Sequence, residues 1–250
     1  MSSVKEMLKA GKAVIGTSAS VRSPVEFLAD AGFDFLFFDT QHSPVNIKEL
    51  LPQIQAMRGR KATPIIRVGG NDQALICYAL DIGARGIIIP MVNSREEAIS
   101  AVRSCKYPPE GVRSAAGMRG DWGVTFKTFR DYMSTVNKEV LVLPMIETMD
   151  ALNHLEEIVA VPGVDVALIG PLDLSISLGL PQDFRNPRYQ ATLDNIIATC
   201  RKAGVAPGIY NIPGGQDPND FIARGFQIFT LPWAAWATTG IQNALAQIQR

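Results

Sequence analysis

Two carboxylates, Glu147 and Asp173, each stand just beyond a short apolar run. Glu147 follows Val140–Ile146. Asp173 follows Val164–Ile169 after Gly170-Pro171-Leu172. Carboxylate oxygens at neighbouring strand ends suit a hard divalent cation. Arg67 lies in the otherwise apolar run Pro64–Val68. A guanidinium buried there needs an anion, either a neighbouring Asp39 or a substrate carboxylate. His42 is one of two histidines and closes the run Asp39-Thr40-Gln41-His42. Imidazole moves protons near neutral pH. A cation and a guanidinium can stabilise a developing oxyanion while an imidazole acts as base. Each residue also has a plain reading: a helix start for Glu147, a turn or cap for Asp173, a surface loop for His42. Their joint occurrence at strand ends favours chemistry. His154, inside a helical pattern, reads as structural.

Eight apolar runs position these groups: Ala13–Gly16, Phe33–Phe38, Pro64–Val68, Gly86–Met91, Val140–Ile146, Val164–Ile169, Ala206–Tyr210 and Gln227–Leu231. Helical stripes alternate with them, opened by Ser23-Pro24, Asn46 and Ser94 as caps. One helix spans Leu152, Leu155, Ile158 and Val159, and another runs near Phe126–Val136. Eight such units in 250 residues predict an α/β fold, a (β/α)8 TIM barrel forming one domain over residues 1–250. A doubly wound sheet is the alternative, but no G-x-G-x-x-G follows the first strand. Barrel enzymes gather catalytic groups at strand C-termini. Those ends carry Asp39, Gln41, His42, Arg67, Glu147, Asp173, Tyr210, Asn211 and Thr230. A long loop at about 106–130, rich in glycine and proline, carries Arg113, Arg119, Arg130 and Trp122. Such loops serve as lids, ligand contacts or subunit contacts. Asp81 ends a helix at Gln73–Leu80, where a negative charge opposes the helix dipole. That placement fits either a role across an interface or a plain surface acid.

The 24 basic and 24 acidic residues cancel. That balance gives no basic footprint for nucleic acid or an anionic membrane. No apolar run approaches the ~20 residues that span a bilayer. Met1–Lys12 lacks a signal-peptide core. The three cysteines are odd in number and far apart, as expected of free thiols in a cytoplasmic protein.

Several segments in order carry a family resemblance: Phe38-Asp39-Thr40-Gln41-His42-Ser43-Pro44, Ile66-Arg67-Val68, Leu80-Asp81-Ile82-Gly83-Ala84, Ile89-Pro90-Met91-Val92, Tyr107-Pro108-Pro109-Glu110-Gly111-Val112-Arg113, Ile146-Glu147-Thr148 and Ile169-Gly170-Pro171-Leu172-Asp173-Leu174-Ser175. The chain resembles the HpcH/HpaI aldolases, metal-dependent class II pyruvate aldolases, over nearly its whole length. The resemblance implies a barrel of the phosphoenolpyruvate/pyruvate type in trimers or hexamers, with the last helix exchanged between subunits. It implies Mg2+, Mn2+ or Co2+ on Glu147 and Asp173, chelated by a small 2-oxo acid such as pyruvate or hydroxypyruvate. Arg67 then contacts the enolate oxygen and His42 transfers protons, assisted by Asp81 of a neighbouring subunit. Asp39 joins this catalytic set, while Gly170, Pro171, Leu172, Gln41 and Met145 line the substrate. Arg113, Arg119 and Trp122 are expected at a neighbouring subunit. The reaction implied is reversible cleavage of a 4-hydroxy-2-oxo acid to a 2-oxo acid and an aldehyde. No lysine occupies a strand-end motif, which argues against a Schiff base. The chain departs from the family pattern at Gln41 for glutamate, Met145 for glutamine and Leu172 for a small or amide residue. It also lacks an aspartate in Thr230–Trp233. These changes lead one to expect a more apolar margin and an aromatic or small apolar aldehyde. Two alternatives are a lyase for acyl-CoA or oxaloacetate-like substrates, using the loop arginines, and a non-catalytic metabolite-binding barrel.

Overall fold

The computed structural model describes residues 3–213 and 216–248. Its strands are β1 (Val14–Ala19), β2 (Phe35–Asp39), β3 (Thr63–Arg67), β4 (Gly86–Ile89), β5 (Leu141–Ile146), β6 (Val166–Ile169), β7 (Ala206–Asn211) and β8 (Ile228–Thr230). They pair in sequence order, all parallel, and β8 returns to β1 to close the barrel. The expected eight-stranded architecture is therefore present. The helices are α1 (Val4–Lys9), α2 (Val25–Asp30), α3 (Leu51–Ala56), α4 (Gln73–Ile82), α5 (Arg95–Cys105), α6 (Phe129–Glu139), α7 (Met149–Asn153), α8 (Leu155–Val159), α9 (Pro171–Ser177), α10 (Pro187–Ala203), α11 (Pro218–Arg224) and α12 (Trp233–Ala246).

Side chains alternate across each strand, so the barrel has two apolar cores. Phe35, Phe37, Ile65, Ile88, Leu141, Leu143, Met145, Val166, Leu168 and Ile228 fill the interior. Leu36, Phe38, Ile66, Ile87, Val142, Ile146 and Ile169 face the surrounding helices. The interior parity continues upward: Phe35 and Phe37 lead to Asp39, Ile65 leads to Arg67, and Leu143 and Met145 lead to Glu147. The functional groups thus occupy the next layer of the same packed column. At the opposite end α1 packs Val4 and Leu8 against the interior cluster. Lys5 lies in an ion pair with Asp165 at 3.0 Å and donates to the Val140 carbonyl at 2.9 Å.

Several boundaries differ from the sequence reading. The helix between β5 and β6 breaks at His154, which leaves the α region with φ −108° and ψ 16° and ends α7 as it begins α8. Its imidazole Nδ1 lies 2.9 Å from the Asp150 carbonyl oxygen. α6 begins at Phe129 because Thr128 and Asp131 form a capping box there. Ser23 does not cap α2; its hydroxyl accepts the Ser20 N–H instead. Asn46 and Ser94 do cap the following turns. No helix or strand forms between α5 and α6 over residues 107–127.

Gly16 shows how tightly the interior is filled. It pairs with Phe35 in register, and a Cβ there would lie 2.3 Å from the Phe35 ring. Phe35 is buried and cannot swing out without vacating the core. Gly16→Ala is therefore expected to destabilise the barrel by about 1–3 kcal/mol, the usual cost of overpacking. Equilibrium urea unfolding checks this; an unchanged midpoint would contradict the packing account.

Candidate active site

Asp39 ends β2 directly beside Arg67 at the end of β3, as Cα partners in register. The two side chains meet in a fork. Arg67 Nε donates to Asp39 Oδ1 at 2.9 Å and Nη2 donates to Oδ2 at 2.7 Å. Bidentate geometry of this kind is strong and directional. Burial alone would push the Asp39 carboxyl up. The Arg67 guanidinium and the Gln41 and His42 N–H groups outweigh that and hold it below its ordinary value of 3.8. Of the two anions the sequence offered for Arg67, the structure supplies Asp39.

Aromatic faces enclose the same guanidinium. Its Cζ lies 4.8 Å from the Tyr210 ring centroid and 5.6 Å from that of Phe37. The two rings meet edge to face at 4.8 Å. Cation–π attraction and steric confinement fix the head group. With Nε and Nη2 taken by Asp39, Nη1 points toward Met145 Sδ at 3.9 Å, too weak a contact to satisfy it. Nη1 is the guanidinium nitrogen that Asp39 leaves unengaged. Met145 is itself buried under this head group, so it forms part of the floor of the site. Leu172, by contrast, is half-exposed.

Glu147 follows β5 and is buried, at 1 % exposure. Its Oε1 accepts the Met91 backbone N–H at 2.8 Å. Burial raises this carboxyl above its ordinary value. The Met91 N–H opposes the rise, Asp173 adds to it, and Arg67 and His42 oppose it. Asp173, Arg67 and His42 thus lie within electrostatic reach of the Glu147 carboxyl. Asp173 sits in the first turn of α9, after Gly170 and with Pro171 at the helix start. It is therefore a helix residue past the end of β6, where its charge also complements the helix N-terminus. Gly170 is required sterically, since a Cβ there would stand 2.2 Å from Glu147 Oε2. His42 is exposed at the rim.

The donor chemistry fits a divalent cation. A buried carboxylate with raised proton affinity beside a second carboxylate is relieved by positive charge. Among the described residues no group of three or more His, Cys, Asp or Glu converges. Glu147 and Asp173 would thus form the whole side-chain donor set, with the remaining oxygens from water and ligand. Magnesium-type ions commonly bind with one or two carboxylates.

Other expected residues lie elsewhere. Asp81 is nine-tenths of the way along α4, roughly 12 Å down the helix from Gln73 at 1.5 Å per residue. It pairs with Arg113 at 2.8 Å. Within one chain it belongs to the outer wall and not to the group around Glu147. Arg113 has no exposed side-chain surface; Asp81 and the Tyr107 ring, 4.6 Å away, enclose it. Its guanidinium therefore offers no face to a neighbouring subunit. Trp122 is buried beneath Arg85 at 5.3 Å, whereas Arg119 is exposed. The sequence reading missed the enclosure of Arg67 by Phe37 and Tyr210. The interior parity of both residues carried that signal. It also missed the Met91 N–H, a backbone group that no residue type announces.

Comparison with known proteins identifies the family. The HpcH/HpaI aldolase/citrate lyase family model matches residues 17–233. A 4-hydroxy-2-oxo-heptane-1,7-dioate aldolase from Shigella sonnei is 39 % identical over 212 residues, covering 83 % of this chain and 79 % of that protein. The crystal structure of an HpcH/HpaI aldolase/citrate lyase family protein from Burkholderia cenocepacia superposes with a TM-score of 0.85 at 30 % identity, covering 98 % of both chains. That of the citrate synthase SbnG gives 0.82 at 29 % identity, covering 98 % of this chain and 96 % of that one. With its closed barrel and a family match across most of its length, this chain belongs to the HpcH/HpaI aldolase/citrate lyase family.

Proposed function

We propose that the protein is a metal-dependent aldolase that cleaves a 4-hydroxy-2-oxo acid to pyruvate, or a close 2-oxo acid, and an aldehyde, and runs the reverse condensation. The observation that carries this reading is the buried Glu147 carboxylate, held by the Met91 N–H and within electrostatic reach of Asp173 and of the Arg67 guanidinium that Asp39 locks. In cleavage the 4-hydroxyl gives up its proton and its oxygen becomes the aldehyde carbonyl. The C3–C4 bond breaks, and its electron pair moves onto C3, C2 and the 2-oxo oxygen as an enolate. A proton returned to C3 gives the 2-oxo acid. Mg2+, Mn2+ or Co2+ on Glu147 and Asp173 would supply positive charge for the 2-oxo oxygen. Arg67 Nη1 adds a preorganised donor for the same oxygen. His42, exposed at the rim, takes the 4-hydroxyl proton. We assign the support of His42 to Asp81 of a neighbouring subunit, as the family resemblance implies.

The same site suits condensation on an oxaloacetate-like acceptor, a second reading favoured by the likeness to SbnG. An acyl-CoA substrate is less suited, because Arg113 is already enclosed by Asp81 and Tyr107. A purely metabolite-binding role leaves the locked guanidinium unexplained. Free buried thiols at Cys105 and Cys200 fit a reducing cytoplasm.

A homo-oligomer, trimer or hexamer, is supported by α12. None of its residues is buried, and Trp236, Ile241 and Leu245 are about half exposed. An apolar helix left in solvent calls for a cover, and we assign that role to a neighbouring barrel.

Four outcomes are expected. Chelation abolishes pyruvate release and added Mn2+ or Mg2+ restores it. Gly170→Ala, which displaces Glu147, lowers metal affinity and turnover by about 100-fold, measured by calorimetry and steady-state assay. Retention of metal binding in that variant would contradict the assignment of Glu147. Asp39→Asn leaves Arg67 without its anion and costs on the order of 3 kcal/mol at neutral pH. Because the Asp39 carboxyl is depressed, its contribution is complete above pH about 4 and is lost as pH falls through the lowered value. The stability gap between parent and variant, followed by denaturant titration, should therefore close in acid. Finally, Trp236→Glu with Ile241→Lys shifts the assembly to monomer in light scattering; an unchanged mass would refute the role given to α12.

A further inference from the structure

β7 carries a bulge at Tyr210. Its pairing with β8 runs in register through Ile209 opposite Phe229, then resumes at Asn211 opposite Thr230, which leaves Tyr210 as the extra residue. The Thr230 hydroxyl donates to the Tyr210 carbonyl and so satisfies the group that the bulge displaces. A bulge at the rim of a barrel re-aims a side chain. Here it throws the Tyr210 side chain across the mouth. β7 and β3 stand on opposite sides of the closed barrel, yet the phenol ring reaches Arg67 of β3 and Phe37 of β2. Its hydroxyl lies beside that of Ser18 on β1. Tyr210 is half-buried and Ser18 is exposed, so water can reach the pair. Packing on Arg67 accounts for the ring. It does not account for the hydroxyl, since phenylalanine also offers its face to a cation.

The row from Tyr210 to Arg67 divides the mouth. Glu147, after β5, and Asp173, after β6, belong to one flank; Ser18, on β1, and His42, after β2, belong to the other. We propose that Tyr210 is a further catalytic residue, whose hydroxyl returns the proton to C3 when a 4-hydroxy-2-oxo acid is cleaved. This rests on the aldolase reading above and assigns the one proton that it left without a donor. The 2-oxo oxygen belongs with Arg67 and the two acids, and the 4-hydroxyl with His42, so C3 lies over the row between them. Once the C3–C4 bond has broken, the enolate electron pair forms a bond from C3 to the Tyr210 proton, and the O–H electrons stay on the phenol oxygen. The phenolate takes a proton from the Ser18 hydroxyl, which regains one from water. In condensation the same transfers run backwards. His42 is not called on at C3, because it already holds the 4-hydroxyl proton. Burial pushes the Tyr210 phenol up, so it keeps its proton at neutral pH, as an acid must. Arg67 and Ser18 pull the other way and ease the phenolate, with Asp39 opposing them.

The test is exchange of the pyruvate methyl protons in D2O, followed by proton NMR with the metal-loaded protein and no aldehyde, which reads transfer at C3 alone. The parent is expected to exchange. Tyr210→Phe keeps the ring on Arg67 and should lower the exchange rate about 100-fold, the usual worth of a positioned acid or base. In a single turnover of 4-hydroxy-2-oxopentanoate, its acetaldehyde release should fall far less than its exchange, because the hydroxyl acts after the C3–C4 bond has broken. Tyr210→Leu, which also takes the ring from Arg67, should slow both. Exchange in Tyr210→Phe equal to that of the parent overturns the proposal and makes water the acid. Equal losses of exchange and of acetaldehyde release in that variant also overturn it, since they mark a hydroxyl that only positions Arg67. If Tyr210→Phe fails to give a cooperative melt, Ser18→Ala decides: exchange about fivefold slower, the effect of one lost hydrogen bond, supports the relay, and an unchanged rate overturns it. A parent that cleaves and exchanges, with Tyr210→Phe exchanging as fast, leaves the aldolase reading standing. A parent that neither cleaves nor exchanges refutes both.

Discussion

The fork between Arg67 and Asp39 organises the catalytic face. A guanidinium at 4 % exposure is tolerable only with an anion in bidentate contact. The barrel supplies one by register, since β2 and β3 place Asp39 and Arg67 opposite each other. Two of the three guanidinium nitrogens are spent on this lock. Phe37 and Tyr210 remove the remaining freedom. A head group held in this way needs little reorganisation when charge develops beside it, which is the condition under which fixed dipoles assist a reaction most. Glu147 is held differently, by a single backbone N–H, and it remains a carboxylate seeking charge.

The lower barrel makes this arrangement possible. Alternation along each strand fills the interior with Phe35, Ile65, Leu141, Val166 and Ile228. It then delivers polar side chains to the top of the same column. Glycines at two levels set clearances: Gly16 makes room for the Phe35 ring, and Gly170 makes room for Glu147 Oε2. In both cases the missing side chain is a steric requirement of a neighbour. A residue lacking chemistry of its own thereby governs where a reactive one can stand.

Much of this was legible in the sequence. The eight apolar runs and their spacing forecast the barrel, since buried parallel strands read as unbroken apolar segments. Arg67 was conspicuous because charge interrupts such a segment. Glu147 and Asp173 stood out as acids just past adjacent strands, where the structure places them. What failed depended on local competition or on direction. Ser23 bonds Ser20 rather than capping α2. Met145 differs from the family pattern, yet its parity turns it inward beneath Arg67 and not toward the rim. Arg113 sits in a loop that reads as exposed, but Asp81 and Tyr107 enclose it.

The absence of buried residues on α12 has a kinetic consequence. β8 already completes the sheet by pairing with β1, so ring closure precedes any need for that helix. Barrel formation is then a unimolecular event. In the proposed assembly, covering Trp236, Ile241 and Leu245 by a second molecule would be a later encounter whose rate scales with protein concentration. Dilution would separate the two steps in time, producing closed barrels that still wait for one another.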